Sequence, residues 1–325
     1  KILGDLKLNY VLSSILSSKE ELHDKITQRK GSFKKLINSL DYVINNNVDI
    51  SLNMVVSQEN ITEVYGTGKF VFDNLGIKKF SATPIVPSSK KEKGLMLNRE
   101  KYIETLDELL KLEKDLGIMV DSLHPAIPCM FNNNKREKYQ KFFEKRGCAA
   151  GRGAITFSPE GNVRVCSHER RVYGNILEKP LEEILEAMDG WFDKSLIPEE
   201  CNSCSYINKC NGGCRVSAEI VTGKINELDP YFVKPIKNKI PEKKFQKEIK
   251  DIKAVEGNIR YREDNEEIIT IYINPNTNGR LNRLEFEILK RFVVGKNYNE
   301  IHEEIGDKSI LKRISSSLIK KGLLI

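Results

Sequence analysis

Residues 201–214 read CNSCSYINKCNGGC and contain four of the seven cysteines of this 325-residue chain. The four follow one another as Cys201, Cys204, Cys210 and Cys214, with two, five and three residues between them. Thiolate is a soft ligand that selects zinc, copper(I) or iron-sulfur clusters. Structural zinc normally uses two short Cys-x-x-Cys hooks, and this stretch has one. Two glycines before the last cysteine let the backbone approach a bulky cluster, so the spacing alone leaves zinc and iron-sulfur equally open.

The other bulk properties indicate a globular protein of a reducing compartment. The cysteines are odd in number, absent from the first 128 residues and concentrated between residues 148 and 214, which favours a metal site over a disulfide framework. The chain is 39% hydrophobic and 30% charged, has no apolar run of about 20 residues, and does not start like a signal peptide. We therefore expect a cytoplasmic protein without a membrane partner. Its net charge of +7 is spread among interleaved Lys and Glu, which disfavours a nucleic-acid partner.

The first part of the chain alternates between β-rich and amphipathic helical runs. The predicted strands are LNYVLSSIL, ISLNMVV and IKKFSATPIVP, and the predicted helices between them are SFKKLINSLDYVINNN and ITEVYGTGKFVFDNLG. Gly66 and Gly68 interrupt the second helix, and a further helix, NREKYIETLDELLKLEKDLG, follows the third strand. This order predicts a parallel α/β sheet. Three strands are too few for a complete barrel, so we expect part of the sheet to be missing.

The remainder of the chain changes character twice. Residues 121–233 are rich in turns and lack the apolar periodicity that would build a core of their own, as expected for a small domain held together by metal. Within them, ITFSPEGNVRVC predicts a hairpin. The Lys-rich stretch KPIKNKIPEKKFQKEIKD predicts a linker. After it, two strand-like runs, NIRYRED and EIITIYINP, and three helical runs predict a compact winged-helix-like module.

A second cysteine-bearing stretch points to one family. In CAAGRGAITFSPEGNVRVC, twelve residues separate Cys148 from Gly161, and four residues separate that glycine from Cys166. With residues 201–214, it resembles the SPASM domain of radical S-adenosylmethionine (SAM) enzymes, whose pattern is C-x(9-15)-G-x4-C, a gap, C-x2-C-x5-C-x3-C, a gap and a last C. Six of the seven cysteines match in order and spacing. Upstream, ELHDKITQRKGSFKKLINSL resembles the second half of the radical SAM partial barrel.

The resemblance implies two auxiliary 4Fe-4S clusters with three cysteines each. One would take Cys148, Cys166 and Cys214, and the other would take Cys201, Cys204 and Cys210. The last cysteine of the family pattern is replaced by Phe232 in INELDPYF. Cys129 could complete the first cluster and Asp229 could give an oxygen ligand to the second, or one iron could stay open for a substrate thiolate. A buried small hydrophobic residue is the alternative role for Cys129.

Two further departures concern the active site. The CxxxCxxC motif that holds the SAM-binding 4Fe-4S cluster is missing, so we expect a fragment that does not cleave SAM by itself, the complete enzyme having SAM and this third cluster. Ser14 and Asn53, at the ends of two predicted strands, are the expected SAM-pocket residues. Ser167 stands where sulfatase-maturing relatives have Asp, which disfavours formylglycine formation. His168 could be a base, but a residue that supports a metal ligand is the more common role.

The predicted fold class is α/β: the C-terminal part of a partial (β/α) radical SAM barrel, a small SPASM metal-cluster domain and a winged-helix-like module. That last module resembles a PqqD-type element, which binds the leader of a precursor peptide as an added strand. A winged-helix DNA binder is its rival, because KRISSSLIKKG supplies a basic helix. The predicted domains are the barrel part at 1–120, the SPASM domain at 121–235, a linker at 236–251 and the PqqD-like module at 252–325.

The combined hypothesis is a radical SAM/SPASM enzyme that modifies a ribosomally synthesised peptide by hydrogen abstraction, with thioether formation as the specific reaction. Its implied partners are a precursor peptide with a leader sequence and a reductant such as ferredoxin or flavodoxin. Two alternatives from other classes remain open. One is a zinc-stabilised binding protein without redox chemistry, and the other is a winged-helix DNA-binding regulator.

Overall fold

The computed structural model describes residues 10–46, 48–144, 147–151, 154–193, 195–238, 260–263, 268–274, 277–320 and 323–324. The chain divides into two compact units, Lys1–Pro241 and Glu242–Ile325, and each has a hydrophobic core of its own. Most of the predicted linker, residues 239–251, and the first residues of the predicted module, 252–259, lie outside the described residues. Among the described helices, none combines the length and the apolar character that crossing a membrane requires.

A parallel sheet is the framework of the first unit, as the alternating pattern predicted. Its four strands are hydrogen-bonded in chain order. They are β1 (Tyr10–Ser14), β2 (Asp49–Val56), β3 (Lys79–Pro84) and β4 (Met119–Asp121). The prediction of three strands missed β4, because a run of three residues after a long helix gives no measurable alternation. Six of the eight residues of β2 are buried, as is usual for a parallel strand covered on both faces.

Helices connect these strands, because a parallel pair needs a crossover rather than a hairpin. They are α1 (Glu20–Thr27), α2 (Ser32–Asn45), α3 (Val64–Asp73) and α4 (Arg99–Leu116). Asp24 in α1 positions the start of α2, since its Oδ1 accepts hydrogen bonds from the Phe33 backbone N–H at 2.9 Å and the Ser32 hydroxyl at 2.8 Å. These donors, the Phe33 amide first, lower the pKa of Asp24.

Gly68 sets the distance between α3 and α4. A Cβ at this position would overlap the side chain of Leu112, which is completely buried, and would touch Phe80 of β3 at 3.0 Å. Gly66, two positions earlier and on the exposed side of α3, has open space around it. Packing therefore requires glycine at position 68 but not at position 66.

The cysteine-bearing part of the first unit contains short elements. They are β5 (Thr156–Phe157), β6 (Asn162–Arg164), β7 (Gly174–Asn175), α5 (Leu181–Glu186), α6 (Asp189–Phe192), α7 (Ile207–Cys210), α8 (Arg215–Thr222) and 3-10 turns at Pro128–Met130, Asn133–Phe142 and Glu199–Cys201. The predicted hairpin is the antiparallel pair of β5 and β6, to which β7 adds a third strand. The expectation that this part has no core was wrong. Seven buried apolar side chains form a small cluster that includes Val163, Met188 and Trp191.

The second unit contains one strand more than predicted. Its antiparallel sheet has the order β10, β9, β8, formed by Arg260–Glu263 (β8), Ile268–Asn274 (β9) and Thr277–Asn282 (β10). The missed strand reads TNGRLN, which is polar and contains glycine, and such residues are depleted in strands. Helices α9 (Arg283–Val293), α10 (Tyr298–Ile305) and α11 (Lys308–Lys320) follow, as predicted. Capping boxes at Asn282 and Asn297 start the first two.

Replacement of the two glycines of α3 by alanine should have opposite effects on the free energy of unfolding. Gly66→Ala should stabilise the protein by about 1 kcal/mol, because alanine is the better helix former. Gly68→Ala should destabilise it by about 1–3 kcal/mol, because the added methyl group overpacks the contact with α4. Denaturant unfolding of both variants measures the difference. Equal stabilisation by the two substitutions would contradict the packing described here.

Candidate metal centre

Four cysteines surround one small apolar pocket, and we call them the four-cysteine group: Cys129, Cys201, Cys204 and Cys210. Three belong to the CNSCSYINKC segment, and the fourth lies on the 3-10 turn Pro128–Met130. Burial is the main cause that raises the pKa of Cys129 and of Cys201 to about 11, and it raises the pKa of Cys210 further. At neutral pH these thiols are therefore protonated, and a metal must displace their protons to bind.

The other three cysteines, the three-cysteine group, line a second and larger cavity of about 670 Å³, which Cys210 also borders: Cys148, Cys166 and Cys214. Cys166 follows β6, and Cys214 is the N-cap residue of α8, where its Sγ accepts from the Ser217 backbone N–H at 3.4 Å. The Sγ of Cys166 accepts in the same way from the Glu169 N–H at 3.4 Å. Burial raises the pKa of Cys166 and of Cys214.

Three consecutive left-handed residues separate the two groups. Asn211, Gly212 and Gly213 have φ values of 51°, 77° and 87°, and they reverse the chain between Cys210 and Cys214. Glycine tolerates this conformation at low cost, whereas a Cβ is disfavoured there.

Asp229 makes the second of these glycines necessary, because a Cβ on Gly213 would overlap its carboxylate. The carboxylate is buried. Its Oδ2 accepts from the Cys214 backbone N–H at 2.7 Å, and its Oδ1 accepts from the Tyr231 N–H at 2.9 Å. The close approach of glycine and carboxylate thereby fixes the backbone of Cys214.

A buried cation lies next to the turn. The guanidinium of Arg215 donates to the carbonyl oxygens of Glu227 at 2.6 Å, Ile225 at 3.2 Å and Leu196 at 3.4 Å, and to that of Gly212. Within the described part of the chain, it has no carboxylate at ion-pair distance and its Nε has no hydrogen-bond partner. Its charge favours the thiolate form of Cys201. Arg215 thus holds three loops together and adds a positive charge where thiolate ligands would add negative ones.

The two residues expected as fourth ligands each lie beside the other cysteine group, and their role as ligands stays a prediction. Cys129 lies with the four-cysteine group rather than with Cys148, Cys166 and Cys214, because the 3-10 turn that carries it is held in the wall of the small pocket. Arg136 fixes that turn through hydrogen bonds from Nε to the Pro128 carbonyl at 3.1 Å and from Nη2 to the Phe131 carbonyl at 3.3 Å. Asp229, expected beside the second set, instead hydrogen-bonds the backbone of the three-cysteine group.

The donors present fit an iron-sulfur cluster at each group. Several thiols already accept backbone N–H groups, including that of Cys204 from Ile236 at 3.5 Å, and such bonds are typical of cluster ligands. Over the described residues, no three His, Cys, Asp or Glu side chains meet closely enough to bind a single metal ion. Zinc, which four ligands would surround, stays the alternative to a cluster.

Two histidines face the cavity of the three-cysteine group. His124 follows β4, and its carbonyl accepts from the Ser122 hydroxyl at 3.0 Å. Burial lowers its pKa, although the nearby charge of Asp229 acts in the opposite direction, and its buried Nδ1 has no partner among the described residues. Burial and the charge of His124 lower the pKa of His168. Sequence reasoning gave no role to His124; its place at the end of a strand was the available signal, and that strand was missed.

The two residues expected in the SAM pocket are neighbours in the sheet. Ser14 and Asn53 pair in register across β1 and β2. Asn53 is buried and lines the cavity, with its Oδ1 accepting from the hydroxyls of Thr83 at 2.7 Å and Ser81 at 2.9 Å. Ser14 is exposed and does not line the cavity. The role of both residues in binding SAM stays a prediction.

Known proteins share the cysteine domain and the fold. Residues 148–211 match the SPASM family, an iron-sulfur cluster-binding domain. A curated relative, the Fe-coproporphyrin III synthase of Methanosarcina barkeri (strain Fusaro / DSM 804), is 25% identical over 260 residues. The match covers 71% of this chain and 64% of that relative, so the chain spans less than two thirds of its length.

Two solved structures are also similar. Native anSMEcpe with bound AdoMet and Cp18Cys peptide matches with a TM-score of 0.51 and 18% identity, over 71% of this chain and 66% of that chain. At this identity the likeness shows the fold. Streptococcus suis SuiB bound to its precursor peptide SuiA matches with a TM-score of 0.49 and 16% identity, over 69% and 52% of the two chains.

Removal of the Arg215 guanidinium should destabilise the cysteine domain far more than removal of an exposed arginine of the same domain. Arg215→Met should lower the free energy of unfolding by at least about 3 kcal/mol, because several buried carbonyls each lose a charged donor. Arg171→Met is the matched control. The Nη2 of Arg171 donates to both carboxylate oxygens of the exposed Glu219, and its Nε lies 3.5 Å from the Glu169 carboxylate, so its loss should cost about 1 kcal/mol. Denaturant unfolding monitored by circular dichroism measures both, and similar losses would show that Arg215 does not hold the loops together.

Proposed function

We propose that this chain, a radical SAM/SPASM protein, is part of an enzyme that modifies a ribosomally synthesised peptide by hydrogen abstraction. The seven cysteines do not form a CxxxCxxC motif. The chain alone therefore offers no thiolates for the SAM-binding cluster, and we infer that it does not cleave SAM by itself.

The observation that carries the proposal is the cavity of about 670 Å³. On one side it is bounded by residues at the carboxyl ends of β2 and β3, including Asn53 and Thr83, and on the other by the three-cysteine group. Open parallel sheets bind their ligands at this edge, and the volume is that of a small-molecule or side-chain site. A substrate bound there would lie between the expected SAM position and an auxiliary cluster.

The chemistry divides between the bound groups and the chain. SAM supplies, when bound, the 5′-deoxyadenosyl radical that abstracts hydrogen, and the auxiliary clusters supply an electron acceptor or an iron that ligates a substrate thiolate. The chain's own residues bind and orient the substrate. His124 and His168, neutral at pH 7 because burial lowers their pKa values, can each offer one donor and one acceptor. Val55, Ile85 and similar side chains make most of the wall apolar and exclude water.

Thioether formation is the specific reaction that we propose. One hydrogen atom leaves a substrate carbon with 5′-deoxyadenosine, and the thiol of a substrate cysteine loses its proton to solvent. The carbon-sulfur bond would then form with release of one electron, which an auxiliary cluster held by Cys148, Cys166 and Cys214 could accept. Two features support this choice. Ser167 stands in place of the sulfatase-type Asp. Four cysteines line the cavity, but Cys210 is shared with the four-cysteine group, which leaves three for the cluster on this side.

The second unit would recognise the leader of the precursor peptide. Within the described residues, the outer strands β8 and β10 each pair with β9 on one side, so their other edges can accept an added strand. Ferredoxin or flavodoxin would supply electrons to the complete enzyme. The solved SuiB structure contains a bound precursor peptide, SuiA.

An iron porphyrin is a second candidate, as the product that the complete enzyme forms. The curated relative is named as a synthase of Fe-coproporphyrin III, and the cavity of about 670 Å³ is within the size range of small-molecule sites. Titration of the chain with Fe-coproporphyrin III, followed by its visible absorption, separates the candidates. A saturable shift that a Cys148→Ala variant alters would favour the porphyrin.

Peptide modification should depend on the three-cysteine group even where SAM cleavage does not. In a complete enzyme that combines this chain with a CxxxCxxC segment, the precursor peptide should lose the mass of two hydrogen atoms, and its cysteine should no longer react with N-ethylmaleimide. Cys214→Ala should continue to form 5′-deoxyadenosine but yield no such product. The assay is mass spectrometry of the peptide together with chromatography of the nucleoside. An unchanged peptide mass with the wild-type enzyme would refute the proposed reaction.

A further inference from the structure

The pocket of the four-cysteine group contains the position at which the family pattern has its last cysteine. That position is Phe232 here, and the phenyl ring lines the pocket with Cys201, Cys204 and Cys210. A phenylalanine cannot ligate iron. Three thiols of this pocket therefore come from the segment that matches the SPASM family, and a fourth ligand must come from elsewhere in the chain.

Cys129 enters the same pocket from outside that segment. It precedes the matched residues 148–211 and lies in HPAIPCMF, between the sheet and the cysteine domain. Cys129 lines this pocket together with Cys201, Cys204 and Cys210, and its side chain is partly buried there.

We propose that Cys129 is the fourth thiolate of the cluster held by Cys201, Cys204 and Cys210, in place of the missing cysteine at position 232. The proposal rests on the proposed function only in that the chain binds clusters. On ligation, the Cys129 thiol loses its proton to solvent and forms one Fe–S bond, with iron and sulfide taken from solution.

The other residue considered as an iron ligand, Asp229, already accepts hydrogen bonds. Asp229 uses both carboxylate oxygens to accept backbone N–H groups of Cys214 and Tyr231. The turn that carries Cys129 is rigid, because Phe131 stacks on Tyr139 with ring centroids 4.5 Å apart. This turn therefore presents the thiol in a fixed place, and ligation would tie the sheet-bearing part of the unit to the cysteine domain.

The assignment of Cys129 also affects the coordination of the cluster at the three-cysteine group. If Cys129 closes the four-cysteine group, the open coordination position belongs to the three-cysteine group, which faces the cavity. Four cysteines then ligate all the irons of one cluster, and the other three leave one iron of the second cluster open to substrate.

The test uses the whole chain with Cys148, Cys166 and Cys214 all replaced by alanine, so that one cluster remains. After anaerobic reconstitution, this parent should bind about four irons and four sulfides and show no 3Fe-4S signal by electron paramagnetic resonance after mild oxidation. Adding Cys129→Ala should cause loss of at least one of the four irons and produce a 3Fe-4S signal. Adding Phe232→Cys to that variant should restore the iron content, because position 232 lines the same pocket. Phe232→Cys in the parent is the control and should change nothing.

The outcomes distinguish two failures. Retention of all the iron by the Cys129→Ala variant, without a 3Fe-4S signal, would overturn the assignment of Cys129 while leaving the clusters in place. A parent that binds stoichiometric zinc and no iron would instead overturn the cluster-based function itself. Complete loss of the cluster in Cys129→Ala, repaired by Phe232→Cys, would support the assignment.

Discussion

The left-handed turn at residues 211–213 is the constraint on which the metal centre depends. It reverses the chain between Cys210 and Cys214, so that Cys210 lines both pockets whereas Cys214 lines only the larger of the two. The turn is possible because two of its three residues are glycine and because the Asp229 carboxylate occupies the place of a Cβ on Gly213. The same carboxylate then fixes the backbone of Cys214 through a hydrogen bond. Local backbone geometry therefore decides which thiols can share a cluster.

The charges around the turn are balanced in a way that suits anionic ligands. Arg215 is a buried cation that binds backbone carbonyls, and a buried charge is costly unless opposite charge lies near it. Its charge favours the ionised form of the Asp229 carboxyl and the thiolate form of Cys201, and thiolates bound to iron would add further negative charge. The buried histidines beside the cavity, by contrast, have lowered pKa values and remain neutral, so they can contact a substrate without adding charge.

Sequence reasoning predicted the parts of the molecule that carry strong local patterns. The parallel sheet, its amphipathic helices and the hairpin at residues 155–166 have clear periodicity or turn signals, and all are present. The iron-sulfur nature of residues 148–211 was confirmed because cysteine spacing is itself the pattern. Strands β4 and β10 were missed because one is three residues long and the other is polar.

The pairing of distant residues could not be predicted in the same way. Spacing cannot tell which of two pockets Cys129 enters, because that depends on how Arg136 and the stacked rings of Phe131 and Tyr139 hold its turn. The environment of Asp229 likewise depends on a contact with Gly213 that only tertiary structure brings about. His124 became visible only with β4, the strand that it follows.

Metal analysis of the anaerobically reconstituted chain tests the central claim, that two separate cysteine groups hold two iron-sulfur clusters. Iron, acid-labile sulfide and zinc would be measured per chain, together with the absorption spectrum. The account predicts about eight irons and eight sulfides with broad brown absorption. Stoichiometric zinc that iron cannot displace would contradict it and would make the cysteine domain a structural zinc site.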